Sequence, residues 1–391
     1  MDVKEAVARH LERIEPDAIA LSHRIHGQPE LGFAEHSASQ WVTEALSRAG
    51  FSVTTGVAGL PTALAATTGS GDLTIGLFAE YDALPEIGHA CGHNIIAAAA
   101  VTAGRLLAPL ADDLGITVKV FGTPAEEGGG GKILMLDRGV FDGVHAAMMV
   151  HPAPEEQLTA RTLAVAHLRV RYTGKTAHAS AAPERGVNAA DAFTVAQVAI
   201  GLLRQHIDPA SRIHGVITRG GEAPNVVPGL TEGRFYVRSA TLADLADLQR
   251  RVELCFEAGA LATGCELSIE PESPPYSEFD SDGELETFYR ANAETLGRRF
   301  PLEASTGPGS TDMANVSLAM PAIHPSIGLD CGAAVNHQPE FAAWCAEPTG
   351  DRAVLDAALA MAWTVIDVAT SEDQRRRLLS LAQQGAGPHG S

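Results

Sequence analysis

Soft and hard metal ligands stand close to a pair of acidic residues in this chain. Cys91 and His93 are two residues apart, so on an extended loop both side chains leave the backbone on the same side and can share a metal ion. Glu126 and Glu127 follow after the length of one strand. On an extended segment consecutive side chains diverge, which places one carboxylate to ligate and the other to move a proton. Metal-assisted hydrolysis requires this division of labour.

Each pair alone has a plainer interpretation. A single Cys-x-His is usually a buried thiol near a structural histidine, and a Glu-Glu pair is usually solvated surface. The neighbouring glycines Gly88, Gly92 and 128–131 favour the metal site, because they let the backbone approach an ion closely. A helix also has little use for four consecutive glycines. A hydrolytic metal site is therefore the leading hypothesis.

Length, charge and cysteine usage restrict the class of protein. With 391 residues the chain exceeds the usual size of one hydrophobic core, which predicts two domains. A formal net charge of -20, without a lysine or arginine cluster, argues against nucleic acid and anionic membrane as partners. The same charge repels an anionic substrate, so recognition of a carboxylate requires a local cation such as an arginine.

Five cysteines without Cys-x-x-Cys spacing predict reduced thiols rather than a disulfide framework. No apolar run reaches the roughly 18 residues that span a bilayer, and residues 1–5 do not resemble a signal peptide. We therefore expect a soluble, cytoplasmic protein.

Hydrophobic periodicity predicts an α/β domain at the start of the chain. The predicted elements are helices over 2–25 and 37–49, strands over 51–57, 62–67 and 73–79, a helix over 95–110, and strands over 116–121 and 146–150. The candidate residues then fall at strand ends and helix starts, where open α/β sheets carry their sites.

Residues 163–272 show a different order of elements. They are predicted to form a strand over 165–172, a helix over 187–206, strands over 213–219 and 232–239, a helix over 241–262 and a strand over 266–270. This split βαβ order predicts an inserted, ferredoxin-like α+β domain. The catalytic domain then comprises residues 1–162 and 273–382, with helices over 284–296 and 351–381, and residues 383–391 are expected to be a disordered tail.

Motifs along nearly the whole chain resemble one family. They are residues 80–85, 89–94, 122–132, 150–152, 174–179, 221–228, 309–312 and 336–337. Together they resemble the zinc aminoacylase/carboxypeptidase superfamily, peptidase family M20, in its amidohydrolase branch. That branch includes auxin-conjugate hydrolases, hippurate hydrolases, aminobenzoyl-glutamate hydrolases and related dipeptidases. Asn94, where auxin-conjugate hydrolases tend to have aspartate, is closer to the aminobenzoyl-glutamate and dipeptidase side.

The resemblance implies a two-metal, aminopeptidase-like catalytic domain with a mixed sheet between helices, interrupted by a smaller lid domain that commonly mediates dimerisation. It implies two divalent cations per subunit, with zinc preferred and manganese or cobalt as alternatives, because a thiolate ligand disfavours magnesium and calcium. Glu126 takes the place of the general base. The implied metal ligands are Cys91, His93, Glu127, His151 and His337.

Two positions need a choice between residues. In the wider family a histidine ligand lies two residues before an aspartate. The aspartate corresponds to Asp82, and the histidine position is Glu80 in this chain, which we leave off the ligand list. Asp82 is then expected to hold a ligand or the base in place, or alternatively to cap the turn before Pro85. On residue type His324 competes with His337 as the last ligand, and the family motif selects His337.

The resemblance also brings residues of the inserted domain to the substrate. His178 is implied to stabilise the oxyanion of the tetrahedral intermediate, often from the partner subunit. Asn225 and Arg238 are implied to face the free carboxylate of the substrate, and the backbone amides near Gly309 are a further candidate. Without the resemblance these residues would be ordinary loop, surface and turn positions.

The expected reaction is hydrolysis of the amide in an N-acyl amino acid, an aminobenzoyl-glutamate-like conjugate or a dipeptide, by a homodimer joined through the lid domain. Two other classes stay open. One is a metal-containing binding protein of the same fold without turnover, which would have no use for a base beside Glu127. The other is thiol catalysis through Cys91, which should survive removal of metal.

Overall fold

The computed structural model describes residues 3–301 and 309–385, and within them the chain forms eleven α-helices and twelve β-strands. The helices are α1 (Val3–His26), α2 (His36–Arg48), α3 (His93–Leu107), α4 (Gly131–Asp137), α5 (Ala189–Leu203), α6 (Leu242–Thr263), α7 (Gly283–Thr295), α8 (Met313–Ala319), α9 (Pro339–Trp344), α10 (Pro348–Thr370) and α11 (Glu372–Gly385). The strands are β1 (Ser52–Thr55), β2 (Leu64–Thr68), β3 (Leu73–Glu80), β4 (Ile116–Thr123), β5 (Ala146–Met148), β6 (His151–Ala153), β7 (Ala164–Thr173), β8 (Arg212–Arg219), β9 (Leu230–Ser239), β10 (Glu266–Pro271), β11 (Ala322–Ile323) and β12 (Ser326–Gly328).

Contacts divide the chain into two compact units. The first consists of residues 3–161, 279–301 and 311–385, and the second of residues 162–278 with Gly309 and Ser310. The second unit extends beyond the predicted end at residue 272, because Tyr276 pairs with Val165 by two backbone hydrogen bonds. Gly309 joins it in the same way, by accepting from the Leu163 amide.

The first unit is built on a mixed six-stranded sheet in the order β1-β2-β4-β3-β5-β11. Strands β3, β4, β5 and β11 are parallel, whereas β1 and β2 are antiparallel additions at one edge. All eight residues of β3 are buried, as expected for a central parallel strand covered on both faces. The ends of β3 and β4 are in register, with Glu80 opposite Thr123, so the loops that follow both strands leave from the same edge.

Helix α10 lies in the core of this unit, where it packs against α1, α3 and α7. It is the one helix in the described residues that is long and apolar enough to span a membrane, and 83% of its most apolar window is buried. The sequence analysis did not identify this helix as a long apolar segment, because Asp356 and Asp367 interrupt its run of apolar residues. The single helix predicted over 351–381 is in fact two, since the chain is extended at Ser371.

The second unit has a four-stranded antiparallel sheet in the order β10-β7-β9-β8, with α5 and α6 packed on one face. This strand order is that of a split βαβ sandwich, so the ferredoxin-like fold is confirmed. Buried and exposed residues alternate along β9 and, from Leu168 onward, along β7, which leaves this part of the other sheet face open to solvent.

The predicted disordered tail at 383–391 is wrong at its beginning, because α11 continues through Gly385. The remainder, residues 386–391, lies outside the described residues.

Candidate metal centre

Cys91 and His93 are brought together by a tight turn, not by the extended loop that their spacing suggested. Gly92 adopts a left-handed conformation, with φ of 78° and ψ of 27°, and α3 begins at His93. A Cβ at position 92 would overlap the ring of Pro152. Glycine is therefore required both because it has no side chain and because it tolerates a positive φ. The prediction of an extended segment is therefore wrong, although both side chains do reach one site.

Glu126 and Glu127 also lie in a turn, at the end of β4. Ala125 has a φ of 56°, unusual for a residue with a side chain, and its carbonyl accepts from the amides of Gly129 and Gly130. The extended geometry predicted for this pair is wrong as well. The four-glycine run closes the turn and provides the first residue of α4.

The two remaining predicted ligands are fixed by the backbone around them. His337 lies in a turn before α9 with a φ of 68°, and its amide donates to the carbonyl of Ala90 beside the cysteine turn. His151 begins β6, and its Nδ1 lies 2.7 Å from the carbonyl oxygen of Pro152. Asn336 Nδ2 donates to the same oxygen over 3.1 Å. Because Nδ1 of His151 faces an acceptor, its Nε2 carries the lone pair that can bind a metal.

The five predicted ligands converge in two groups that share Cys91. Cys91, His93 and His151 form one group, and Cys91, Glu127 and His337 form the other, each with ligand atoms within 4.8 Å of one another. Cys91 Sγ lies 3.5 Å from His151 Nε2 and 3.5 Å from His337 Nε2. When one tetrahedral zinc ion binds a sulfur and a nitrogen, the two ligand atoms lie about 3.6 Å apart. Both measured distances therefore fit a shared ion.

Two buried atoms of these groups have nothing else to bind. Among the described residues, His93 Nε2 and Glu127 Oε1 have no hydrogen-bond partner. Buried polar atoms of this kind are rarely left unsatisfied, and a cation would satisfy both. The donor set of thiol, imidazole and carboxylate suits a borderline-soft dication such as zinc. The residues therefore fit a pair of divalent metal ions.

Asp82 supports two ligands at once. Its Oδ1 lies 3.1 Å from His93 Nδ1, and its Oδ2 accepts from the Glu127 amide over 3.0 Å. Although burial disfavours a charged ring, Asp82 outweighs it and raises the pKa of His93 well above its ordinary value. A carboxylate on Nδ1 also orients the ring so that Nε2 faces the cluster.

Glu126 is 7% exposed, and its Oε2 lies 3.8 Å from His93 Nε2. Burial raises its pKa well above the ordinary value, and the nearby carboxylates of Glu80 and Glu127 raise it further. Its position at the rim of the ligand cluster, within reach of a water bound there, suits a carboxylate that accepts a proton.

A buried ion triad below the cluster was missed by sequence reasoning. Lys132 Nζ lies 3.0 Å from Glu80 Oε1 and 2.6 Å from Asp312 Oδ1, and all three side chains are fully buried. The other oxygen of Glu80 lies 3.5 Å from His93 Nε2. All three residues lie in motifs that carry the family resemblance, but nothing in the sequence indicates that they pair with one another.

His324, the competing candidate for the last ligand, is buried with its ring centroid 5.5 Å from that of His151. Burial and the neighbouring His151 lower its pKa well below the ordinary value. His324 belongs to neither ligand group around Cys91, whereas His337 belongs to the group with Glu127.

The predicted lid residues all lie in the second unit. The segments of His178 and Asn225 are adjacent, since His178 bridges to Val226 and the Asn225 carbonyl accepts from the Ala179 amide. The Arg238 side chain extends from β9, and its Nη1 donates to Ser310 Oγ, next to Gly309, over 2.6 Å. Their action on a substrate stays a prediction.

Comparison with known proteins gives consistent matches. A model of peptidase family M20/M25/M40 matches residues 76–354. Xaa-Arg dipeptidase of Mus musculus is 37% identical over 385 residues, which cover 94% of this chain and 89% of that protein. A p-aminobenzoyl-glutamate hydrolase polypeptide of Escherichia coli (strain K12) is 36% identical over 264 residues, covering 62% of this chain and 55% of that protein.

A solved structure shows the same fold. A dinuclear metal-binding peptidase of the M20 family from Bacillus subtilis superposes with a TM-score of 0.67 at 22% identity, covering 91% of this chain and 99% of that one.

Proposed function

Because the chain belongs to peptidase family M20/M25/M40, we propose that it hydrolyses amide bonds with two divalent cations held by the two ligand groups. The family resemblance that the motifs carried is confirmed, and with it a metal-dependent hydrolase of amide or peptide bonds. The observation that carries the proposal is the sharing of Cys91 between the two groups. A cysteine within reach of both ligand groups could be shared by two cations, as a dinuclear hydrolytic site would require.

The ligand assignment follows from the two groups. His93 and His151 would hold one cation with Cys91, and Glu127 and His337 would hold the other. Bound cations of this kind lower the pKa of a water and polarise a carbonyl. Zinc is the proposed metal, with manganese or cobalt as alternatives.

Glu126 is proposed as the general base. It belongs to neither group around Cys91, although its carboxylate also lies within ligand distance of Glu80 and His93 in a third group. Its carboxylate takes the proton from the attacking water and then delivers it to the nitrogen of the departing amine. Asp82 keeps His93 and Glu127 in place while the charge moves, through the two hydrogen bonds on its oxygens.

The proposed substrate is an N-acyl amino acid, an aminobenzoyl-glutamate-like conjugate or a dipeptide with a free carboxylate. Support comes from two relatives whose names specify an Xaa-Arg dipeptide and p-aminobenzoyl-glutamate. Arg238, Asn225 and the amides near Gly309 bind that carboxylate, and His178 stabilises the oxyanion.

A homodimer through the second unit is also proposed. Helix α5 exposes Val198 and Leu202 one turn apart, with 60% and 70% of each residue accessible. Strand β8 is the open edge of the sheet and exposes Val216. Unpaired edges and exposed apolar side chains of this kind favour association with a second copy.

The test compares Glu126→Gln with Glu127→Gln on a panel of Ala-Arg, p-aminobenzoyl-glutamate and N-benzoyl-glycine. Glu126→Gln should keep the metal content and lose turnover at least about 100-fold. Glu127→Gln should lose metal, and the exposed control Glu340→Gln should change neither. Near wild-type turnover in metal-loaded Glu126→Gln would show that the base is another residue.

Thiol catalysis is the second candidate, since two histidines lie within 3.5 Å of the Cys91 sulfur. Burial and the nearby Glu127 carboxylate raise the pKa of Cys91 well above its ordinary value, which opposes a thiolate without a cation. A chelator separates the candidates, because a cysteine nucleophile keeps its activity without metal. A binding protein of this fold would take up the panel compounds and release no amine.

A further inference from the structure

Three arginines on the open face of the second unit's sheet are paired with carboxylates. Arg169 and Arg234 both bind Glu272, at 3.2 Å and 2.8 Å. Arg171 binds Glu232 on the neighbouring strand at 2.7 Å. Each of these three guanidinium groups therefore has a carboxylate partner, although Arg169 and Arg234 share the single negative charge of Glu272.

Arg238 on the same face is held differently. Its Nε donates to His214 Nε2 over 3.3 Å, and its Nη1 donates to Ser310 Oγ over 2.6 Å. Within residues 3–301 and 309–385, Arg238 forms no ion pair with a carboxylate. Ser310 Oγ donates its own hydrogen to the carbonyl of Leu163 over 2.7 Å, so its lone pairs face Arg238. Two neutral acceptors therefore fix the guanidinium without cancelling its charge.

His214 is held in turn by a row of aromatic side chains. His167, Tyr236 and His214 are direct partners across β7, β9 and β8. The ring centroids lie 4.2 Å apart for His167 and Tyr236, and 5.6 Å apart for Tyr236 and His214. Burial, Arg238 and Arg204 lower the pKa of His214, which favours the neutral ring, and the Arg238 Nε–H directed at Nε2 makes that nitrogen the acceptor.

We propose that His214, together with Ser310, is a positioning residue that presents the charged guanidinium of Arg238 to the free carboxylate of the substrate. This inference rests on the proposed function, because it concerns the same substrate group. Arg238 keeps Nη2 for that carboxylate, and a guanidinium held at two of its nitrogens loses little rotational freedom on binding. The arrangement selects an ionised carboxylate over a carboxamide, since a neutral amide would leave the charge of Arg238 uncompensated.

The test uses the best substrate of the panel and the carboxamide of the same compound. His214→Phe keeps a ring beside Tyr236 and removes the acceptor, and Ser310→Ala removes the other acceptor. For the carboxylate substrate each variant should raise KM about tenfold and change kcat less than about twofold, as expected for one lost bond to a charged group. Their kinetics with the carboxamide should equal those of the wild type.

Two further variants complete the design. His214→Gln restores an acceptor and should recover a KM within about threefold of the wild type. Arg171→Ala removes one positive charge from the same sheet face without contact to Arg238 and should leave KM unchanged.

The outcomes separate the inference from the proposed function. If Arg238→Ala abolishes the preference for the carboxylate and His214→Phe and Ser310→Ala leave KM unchanged, the positioning role is wrong and the proposed function stands. If Arg238→Ala keeps the full preference, the carboxylate is bound elsewhere, so the inference and the substrate-binding role of Arg238 both fail while the hydrolysis itself is untouched. If His214→Phe lowers kcat/KM equally for the carboxylate and the carboxamide, His214 has a merely structural role and the inference is overturned.

Discussion

Replacement of Lys132 by methionine tests the buried ion triad beneath the metal cluster. Lys132 lies 3.0 Å from Glu80 and 2.6 Å from Asp312, and none of the three side chains is accessible to solvent. Methionine has a similar length and fills the same volume without a charge. The substitution therefore leaves two buried carboxylates without their cation, and it opens little cavity.

The expected size of the effect follows from these distances. At an effective dielectric constant of about 20, each attraction is worth about 5–6 kcal/mol before the cost of burying the charges is subtracted. Removal of one partner from a buried pair costs about 3–5 kcal/mol of stability. The chain contains a matched control in Lys4 and Asp367, which are also 2.6 Å apart but 26% and 23% exposed. Loss of that partly exposed pair should cost less than loss of the buried one, about 1 kcal/mol.

Urea unfolding, followed by tryptophan fluorescence with a chelator present, measures both pairs without a contribution from metal binding. Lys132→Met, Asp312→Asn and the double variant form one cycle, and Lys4→Met, Asp367→Asn and their double variant form the other. The cycle of Lys132 and Asp312 should give a coupling energy of at least about 2 kcal/mol. A coupling below about 0.5 kcal/mol, or one no larger than that of the exposed pair, would refute the reasoning.

Three further substitutions test the site. Asp82→Asn should weaken metal affinity about 10–100-fold in a chelator competition, because the bond that orients His93 is weakened, and unchanged affinity would contradict this. Gly92→Ala should lower both Tm and metal content, since its φ is 78° and the methyl group overlaps Pro152, and a fully metal-loaded variant would disprove the steric argument. His178→Ala should lose turnover about 100-fold at constant metal content, and wild-type kinetics would remove His178 from the mechanism.

Periodicity alone predicted most of the fold. The strand expected at 116–121 is β4 at Ile116–Thr123, and the helix expected at 241–262 is α6 at Leu242–Thr263. Helix α4 was missed because its first residue ends a run of four glycines, and strands of two or three residues, such as β11, carry no period to detect. These elements exist because neighbouring strands and helices hold them, which is information that a local pattern lacks.

The candidate ligands were chosen from the sequence, but the geometry that brings them together was not predicted. The ligand types and their motifs could be read from the sequence, but the turns at Gly92 and Ala125 follow from positive φ angles that spacing does not encode. The roles of Lys132 and Asp312 depend on their burial, since a lysine and an aspartate 180 positions apart give no sign that they are paired in the core. His214 was missed for the same reason, because only the strand register brings it beside Arg238.

The central claim is that Cys91 belongs to two metal sites at once, and metal stoichiometry tests it most directly. The metal-free protein is reconstituted with zinc, and the content per chain is determined by mass spectrometry for the wild type, His151→Ala, His337→Ala and Cys91→Ser. The structure predicts two equivalents for the wild type, one for each histidine variant and close to none for Cys91→Ser. One equivalent in the wild type, or two in Cys91→Ser, would contradict the account.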